Sequence, residues 1–299
     1  KTAKIDEPKQ EEVQQIETVE EIPVQETDSE ESEPEAQPPQ NSDIYVPSDP
    51  QLKRMFIQAK KYVAIDNKER ALYSFQNTMD YADEIGDTQA CAMIHFEEGK
   101  LYDEFNQIED ALYNYDRAAK QSNDNNIKAK AHLSMGKIYD DFVKFNPALE
   151  HYAAAVAFSG ESDNVKLQAG ALSDLAKLCS ERYDKENTVM FMDMASVMAE
   201  ESGDNRTKGI IYGKNAKFCE RLNDKAAALS FYGNSARAFS KIEDNENLAG
   251  NYAAASEIML KYGNKAKAEK LLSKAYLSAQ QTDNEKLKQE ITDKLAALR

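Results

Sequence analysis

A pattern of small and large side chains recurs six times along the chain. In each copy, a small residue is followed three positions later by a bulky or apolar one. Twelve positions after that small residue, Ala or Thr opens a second group that ends in a large apolar and a small residue. One copy consists of Gly99, Tyr102, Ala111, Tyr115 and Ala118, and successive copies lie 37 or 40 residues apart. Within each copy the apolar positions recur every three or four residues, which predicts α-helices.

Two kinds of polar break divide this pattern. One falls inside each copy, as at residues 222–225, and the other joins successive copies, as at residues 203–205. Asp and Asn at such breaks cap the helix that follows, and Gly ends the helix before it. Each copy is therefore predicted to be an antiparallel helix pair, with small residues that allow the two backbones to approach closely.

The predicted fold class is all-α: a superhelical α-solenoid of six helix hairpins within residues 47–283. Residues 284–299 are predicted to form a C-terminal capping helix that covers the apolar face of the last hairpin. The hairpins are expected at about 51–86, 88–123, 125–162, 164–203, 205–243 and 245–282.

The charge of the chain is concentrated at its N-terminal end. Residues 1–46 contain 14 acidic and 3 basic residues, a net charge of −11, whereas the whole 299-residue chain carries −16. This segment is rich in Glu, Gln and Pro and poor in aromatic residues, so it is predicted to be a disordered acidic tail. The body is nearly balanced in charge, which argues against a nucleic-acid-binding surface. No apolar run approaches the roughly 20 residues that span a bilayer, so no direct membrane insertion is expected.

The arrangement of Gly or Ala, Tyr, Ala, an aromatic residue and Ala resembles the tetratricopeptide repeat family over about residues 51–283. The common repeat of that family is about 34 residues long. The longer spacing here is similar to long-helix members such as kinesin light chain, the Pins/LGN-type adaptors and the SNAP-type adaptors. The resemblance implies a non-enzymatic scaffold that binds a peptide or partner segment in a concave groove.

Catalytic and metal-binding motifs are not apparent. The three histidines, His95, His132 and His151, are expected to lie in or near the core, and the sequence has no HExxH motif, Gly-rich phosphate loop or Cys-x-x-Cys pair. We therefore expect no catalytic residues, cofactor or metal. The three cysteines are widely spaced, which favours buried thiols in a reducing compartment and a cytoplasmic location. The chain begins at Lys1 rather than Met, so a processed form or a fragment is expected.

One charged column stands out in the repeats. The position after the small first-helix residue is a lysine in five copies, namely Lys60, Lys100, Lys137, Lys177 and Lys217. The resemblance implies that this column faces the groove, where the lysines would form a positive strip. Most of them also have an acidic residue three or four positions later, so self-paired lysines are the alternative. Earlier on the first helices, Phe56, Phe96 and Met93 are the predicted apolar anchors for a partner.

Several kinds of partner fit this pattern. A protein or peptide segment of acidic character would suit the lysine strip, and the chain's own acidic tail is a possible intramolecular occupant. Alternatively, the chain is an assembly or membrane-trafficking adaptor of SNAP-like type that acts through its convex face and its ends. A third, more remote possibility is a regulator that responds to a peptide signal.

Overall fold

The computed structural model describes residues 47–298. Within that range the chain forms thirteen α-helices and no β-strands. In chain order the helices are α1 Pro50–Ala64, α2 Lys68–Glu84, α3 Thr88–Glu104, α4 Ile108–Gln121, α5 Asn125–Asp141, α6 Phe145–Glu161, α7 Val165–Glu181, α8 Lys185–Glu201, α9 Asn205–Arg221, α10 Lys225–Ser240, α11 Asn245–Lys261, α12 Lys265–Ala279 and α13 Glu285–Leu298. The predicted acidic tail, residues 1–46, lies outside the described residues.

The polar breaks cap the helices. Before α3, the Asp87 carboxylate accepts a hydrogen bond from the backbone N–H of Ala90 at 3.0 Å, and Asp224 accepts one from Ala227 at 3.0 Å before α10. These bonds satisfy amide groups that a helix leaves unpaired at its start. Gly86 ends the turn after α2 with a φ of +72°, a left-handed conformation that glycine adopts without steric cost.

Helices that are adjacent in sequence pack as hairpins. The pairs α1–α2, α3–α4, α5–α6, α9–α10 and α11–α12 pack closely, and α13 packs on α12. These contacts confirm the predicted all-α solenoid of helix hairpins with a terminal helix. None of the described helices is long and apolar enough to cross a bilayer.

The chain divides into two compact units, and the division falls inside α7, after Leu175. The N-terminal unit comprises the described residues 47–175. Its core contains Leu52, Phe75, Ile94 and Tyr115, all almost completely buried. The C-terminal unit comprises the described residues from Ala176 onward, with Tyr232, Tyr252, Ile258, Leu272 and Ile291 in its core.

The recurring small and aromatic positions make up much of both cores. In the hairpin of α3 and α4, Gly99 faces Tyr115 so closely that an added Cβ would lie 2.7 Å from the tyrosine ring. Gly136 faces Tyr152 in the same way in the hairpin of α5 and α6. The absence of a side chain on the first helix therefore lets the aromatic ring of the second helix fill the hairpin interior.

Candidate functional site

A pocket of about 340 Å³ lies within the N-terminal unit, between α3, α4 and α5. It brings together three predicted site residues from two successive hairpins: Phe96 and Lys100 from α3, and Lys137 from α5. The full lining is Phe96, Lys100, Asp103, Glu104, Tyr115, Lys130, Leu133, Ser134 and Lys137.

Two aromatic rings and a leucine give the pocket an apolar floor. The Phe96 ring packs on Tyr115 with a centroid distance of 5.7 Å and an interplanar angle of 52°. Tyr115 is almost fully buried, and burial raises the pKa of its hydroxyl, although a hydrogen bond with Ser134 acts in the opposite direction. The Tyr115 hydroxyl is therefore neutral at physiological pH. The Tyr115 ring, on which Phe96 packs, is held in place by its close contact with Gly99.

The lysines at the rim are paired with carboxylates of neighbouring hairpins or of their own helix. Glu97 lies between two lysines: its Oε1 is 2.8 Å from Lys60 Nζ, and its Oε2 is 3.1 Å from Lys100 Nζ. Lys137 Nζ lies 4.0 Å from Asp174 Oδ2. The lysine side chains nevertheless keep 44% exposure at Lys100 and 57% at Lys137. Each ammonium group has three N–H donors, so one ion pair leaves donors for a bound group.

The pairing follows the register of the repeat. Glu97 and Asp174 each stand three positions before the next member of the lysine column, Lys100 and Lys177. Both carboxylates lie 37 residues after the lysine they meet in the preceding hairpin, so the ion pair joins successive hairpins rather than successive helix turns.

The charge of the pocket is mixed. Lys100, Lys130 and Lys137 line it together with Asp103 and Glu104. Burial raises the pKa of Asp103, as do the nearby charges of Asp141 and Glu104, while Lys137 lowers it. The pocket thus presents ammonium and carboxylate groups around an apolar floor.

Two of the predicted anchors lie elsewhere. Phe56 and Met93 are buried in the core of the N-terminal unit and do not line the pocket. Phe56 packs on Phe75 with a centroid distance of 6.1 Å, and the Lys60 ammonium lies 6.0 Å from the centroid of the Phe56 ring.

The last two lysines of the column belong to the C-terminal unit. Lys177 Nζ is 3.3 Å from Glu181 Oε1, one helix turn later, as the self-paired alternative predicts. Lys217 is exposed, and no described carboxylate forms an ion pair with it. A continuous strip of all five lysines stays a prediction.

The C-terminal unit has a smaller polar recess of about 200 Å³ lined by Lys208, Tyr212, Arg237 and Lys241 around Glu200. The Glu200 carboxylate accepts hydrogen bonds from Lys208, at 2.7 Å, and from the Tyr212 hydroxyl. These bonds lower the pKa of Glu200. The Glu200 carboxylate therefore already lies in the recess as an anionic group and pairs with Lys208. For this reason the pocket of the N-terminal unit, which also has an apolar floor, is the stronger candidate site.

The repeat columns did not single out every residue of the pocket. Lys130 and Ser134 were missed, although they precede Lys137 by seven and three positions and therefore share a helix face with it. Asp103 and Glu104 follow Lys100 by three and four positions, the spacing that the self-paired alternative assigns to the partners of the lysines. These residues could have been predicted from the helix period, because each lies three, four or seven positions from Lys100 or Lys137 on the same helix.

Comparisons with known proteins support the fold. No protein-family model and no curated protein sequence matches the chain. Among solved structures, it resembles a signal transduction ATPase with numerous domains from Pyrococcus horikoshii, which has a tetratricopeptide repeat sensor. The TM-score is 0.69 at 17% identity, over 83% of this chain and 38% of the archaeal protein. The apo form of RapI gives a TM-score of 0.59 at 14% identity, over 83% of this chain and 97% of RapI. These likenesses confirm the tetratricopeptide-type repeat fold predicted from the sequence.

Proposed function

We propose that the chain is a non-enzymatic protein-interaction scaffold that holds a peptide or partner segment in the pocket of the N-terminal unit. The main support for the proposal is that one pocket is lined by the apolar side chains of Phe96 and Leu133 and by the ammonium groups of Lys100 and Lys137. These residues come from two successive hairpins. A pocket that joins hairpins suits an elongated ligand, because a repeat array offers similar positions from one hairpin to the next.

The pocket favours a particular ligand chemistry. One apolar side chain on the floor would contribute about 1.5–3 kcal/mol through burial. The lysines at the rim are half exposed, so ion pairs with acidic residues of the ligand would contribute about 0–1 kcal/mol each. The proposed ligand is therefore a segment in which an apolar residue is flanked by Asp or Glu. The apolar contact supplies affinity, and the lysines supply orientation and speed of association.

The acidic residues 1–46 carry the same charge as this ligand, at a net −11. We propose that this segment competes for Lys100 and Lys137 within the same molecule. A peptide-responsive regulator would use the same pocket, and the Pyrococcus horikoshii protein, which this chain resembles in fold, has a tetratricopeptide repeat sensor.

The test is an unbiased pull-down with the full chain as bait. The pocket variant is Lys100→Glu/Lys137→Glu. The control variant, Lys265→Glu/Lys286→Glu, has the same change in net charge on exposed lysines of the C-terminal unit that lie outside the lysine column. Partners of the pocket are expected to be lost from the first variant and retained by the second.

Retention of every partner by both variants would refute the pocket and favour the SNAP-like adaptor, which acts through other surfaces. Circular dichroism of both variants checks that each remains folded. Titration of the parent chain with a short peptide, in which one Leu is flanked by Glu residues, then measures the affinity of the pocket directly.

A further inference from the structure

Helix α8, in the C-terminal unit, has an apolar face that the unit leaves exposed. Val189, Met190, Met194 and Val197 are each between 40% and 51% exposed. Met190, Met194 and Val197 follow one another at spacings of four and three residues, so they lie on one side of the helix. The opposite side of α8 already contributes Thr188, Met192, Ala195 and Ala199 to the buried interior.

The repeat register shows that this face is exceptional. The three equivalent positions in the next hairpin are Ser230, Asn234 and Arg237. Each of the other described hairpins also places at least one charged or amide side chain among these positions. The remaining sets are Tyr73, Asn77 and Asp80; Tyr113, Arg117 and Lys120; Glu150, Ala154 and Ala157; and Lys270, Lys274 and Leu277. The fold therefore does not require apolar residues here, and only α8 has three.

The charges around this face restrict what it can bind. Glu186, Asp193 and Glu201 are exposed and lie on the same side of α8, at its start, middle and end. The only basic residue of the helix is Lys185, at its first position. A second copy docked through α8 would place acidic rims together, and the acidic residues 1–46 carry the same sign, so both occupants are disfavoured electrostatically.

We propose that this face, Met190, Met194 and Val197 with the rim Glu186, Asp193 and Glu201, docks a basic amphipathic helix of a partner protein. The apolar residues of the partner lie at a spacing of three and four, against the methionines, and its Lys or Arg side chains meet the acidic rim. Methionine suits such a surface because its unbranched thioether adapts to different side chains. The surface from Glu186 to Glu201 is about 22 Å long at 1.5 Å per residue, which matches about four turns of the partner helix. The proposal does not depend on the pocket of the N-terminal unit.

The probe is a fluorescent synthetic peptide of Leu and Lys that forms an amphipathic helix. Its binding to the full chain is measured by fluorescence anisotropy at about 150 mM salt. A scrambled peptide of the same composition controls for charge attraction alone. The test variant is Met190→Gln/Met194→Gln/Val197→Thr. The matched control, Tyr73→Gln/Tyr113→Gln, removes two exposed apolar residues from other hairpins, and neither variant changes the net charge.

The α8 variant is expected to weaken binding by about tenfold or more, as loss of a central interface patch does. The Tyr73/Tyr113 control is expected to stay within about twofold of the parent. Equal binding by the parent and the α8 variant, or equal binding of the scrambled peptide, would overturn the proposal. The proposal would also be overturned if sedimentation showed that the parent dimerises and that the α8 variant does not, because a second copy would then occupy the face.

If the α8 variant has a lower melting temperature than the parent, Asp193→Lys/Glu201→Lys provides the test. The proposal expects this variant to bind the basic helix more weakly, and unchanged affinity would overturn it.

Discussion

The Nδ1 atoms of His132 and His151 lie 2.9 Å apart and connect α5 to α6 within one hairpin. At this distance one nitrogen must donate and the other accept, so the contact requires that at least one ring be neutral. The His132 ring stacks on Phe158, and the His151 ring stacks on Tyr139. Burial lowers the pKa of both histidines, and the neighbouring His151 lowers that of His132 further, whereas Asp116 acts in the opposite direction on both and Glu150 on His151.

This pair predicts a loss of stability in mild acid. The ordinary pKa of histidine is about 6.5. A histidine whose pKa is lower in the folded state makes its full contribution to stability above the ordinary pKa. This contribution is lost as the pH falls from the ordinary pKa towards the lower pKa of the folded state. We expect the melting temperature to fall between about pH 7.5 and 5.5, with each histidine costing up to about 1.4 kcal/mol per pH unit below 6.5.

The preceding hairpin supplies the control. There, His95 Nδ1 lies 2.9 Å from Asn114 Oδ1 at the equivalent positions. The variant His151→Asn reproduces that His–Asn pair in the hairpin of α5 and α6, and it should reduce the acid-dependent fall in melting temperature. Identical pH profiles of parent and variant would contradict the prediction.

The sequence predicted the helices and their pairing because one packing arrangement is repeated. The small and aromatic positions of the second helices, such as Ala111, Tyr115 and Ala118, are buried in the hairpin interior, whereas the first-helix position of Tyr102 is only partly buried. The period of three and four residues places these positions on one helix face, so the buried side of each helix follows from the sequence. The break residues predicted caps such as Asp87 and Asp224, but Gln107 and Lys144, which precede α4 and α6, form no side-chain cap bond.

Two of the lysine ion pairs, Lys60–Glu97 and Lys137–Asp174, join successive hairpins, and these pairs were not predicted. The self-paired alternative gave Lys100 the partner Glu104, four positions later. In the structure Lys100 pairs with Glu97, three positions earlier on the same helix, and Glu97 also binds Lys60 of the preceding hairpin. Helix periodicity gives neighbours within a helix, whereas neighbours across hairpins depend on how successive hairpins stack. For the same reason Met93 was expected to face a partner, but it packs in the core.

The Glu98 carboxyl group predicts a second pH effect, of opposite sign. Its Oε2 lies 3.7 Å from His95 Nδ1, and burial raises the pKa of Glu98 from 4.5 to about 7. A carboxyl group with a raised pKa in the folded state favours folding below its ordinary pKa, and that contribution is lost as the pH rises through about 7. Ionised Glu98 is therefore destabilising at pH 8.

The variant Glu98→Gln keeps the shape of the side chain and removes the ionisation. We expect it to raise the free energy of unfolding by about 1–3 kcal/mol at pH 8 and to have little effect near pH 5, where most of the parent carboxyl is already protonated. Chemical denaturation at the two pH values measures the difference. An effect of equal size at both values would show that ionisation is not the cause.

Two glycines in helix interiors predict opposite responses to alanine. A Cβ at Gly136 would lie 2.5 Å from the buried ring of Tyr152, whereas a Cβ at Gly170 would meet no atom within 4 Å. Gly136→Ala is expected to destabilise the protein by about 1–3 kcal/mol, because the tyrosine ring must shift. Gly170→Ala is expected to stabilise it by about 0.5–1 kcal/mol through the helix preference of alanine. Guanidinium unfolding checks both values, and the same sign for both variants would contradict the argument.

The acidic segment predicts a change in ligand affinity. Replacement of its 14 Asp and Glu residues by Asn and Gln removes the proposed competitor for Lys100 and Lys137 while keeping the chain length. We expect this variant to bind the Leu-and-Glu peptide more tightly than the parent does, with a larger loss of affinity between about 50 and 300 mM salt, because in the parent added salt weakens the competing segment as well as the peptide. Fluorescence anisotropy at both salt concentrations measures the effect.

A double-mutant cycle separates this competition from a general charge effect. The same neutralised segment is combined with Lys100→Glu/Lys137→Glu, which removes the site for which the segment is proposed to compete. If the competition is local, neutralisation has little effect on peptide affinity in that background, and the coupling between the two changes is large. If peptide affinity rises equally in both backgrounds, the segment repels acidic ligands through the net charge of the whole chain and does not occupy the pocket.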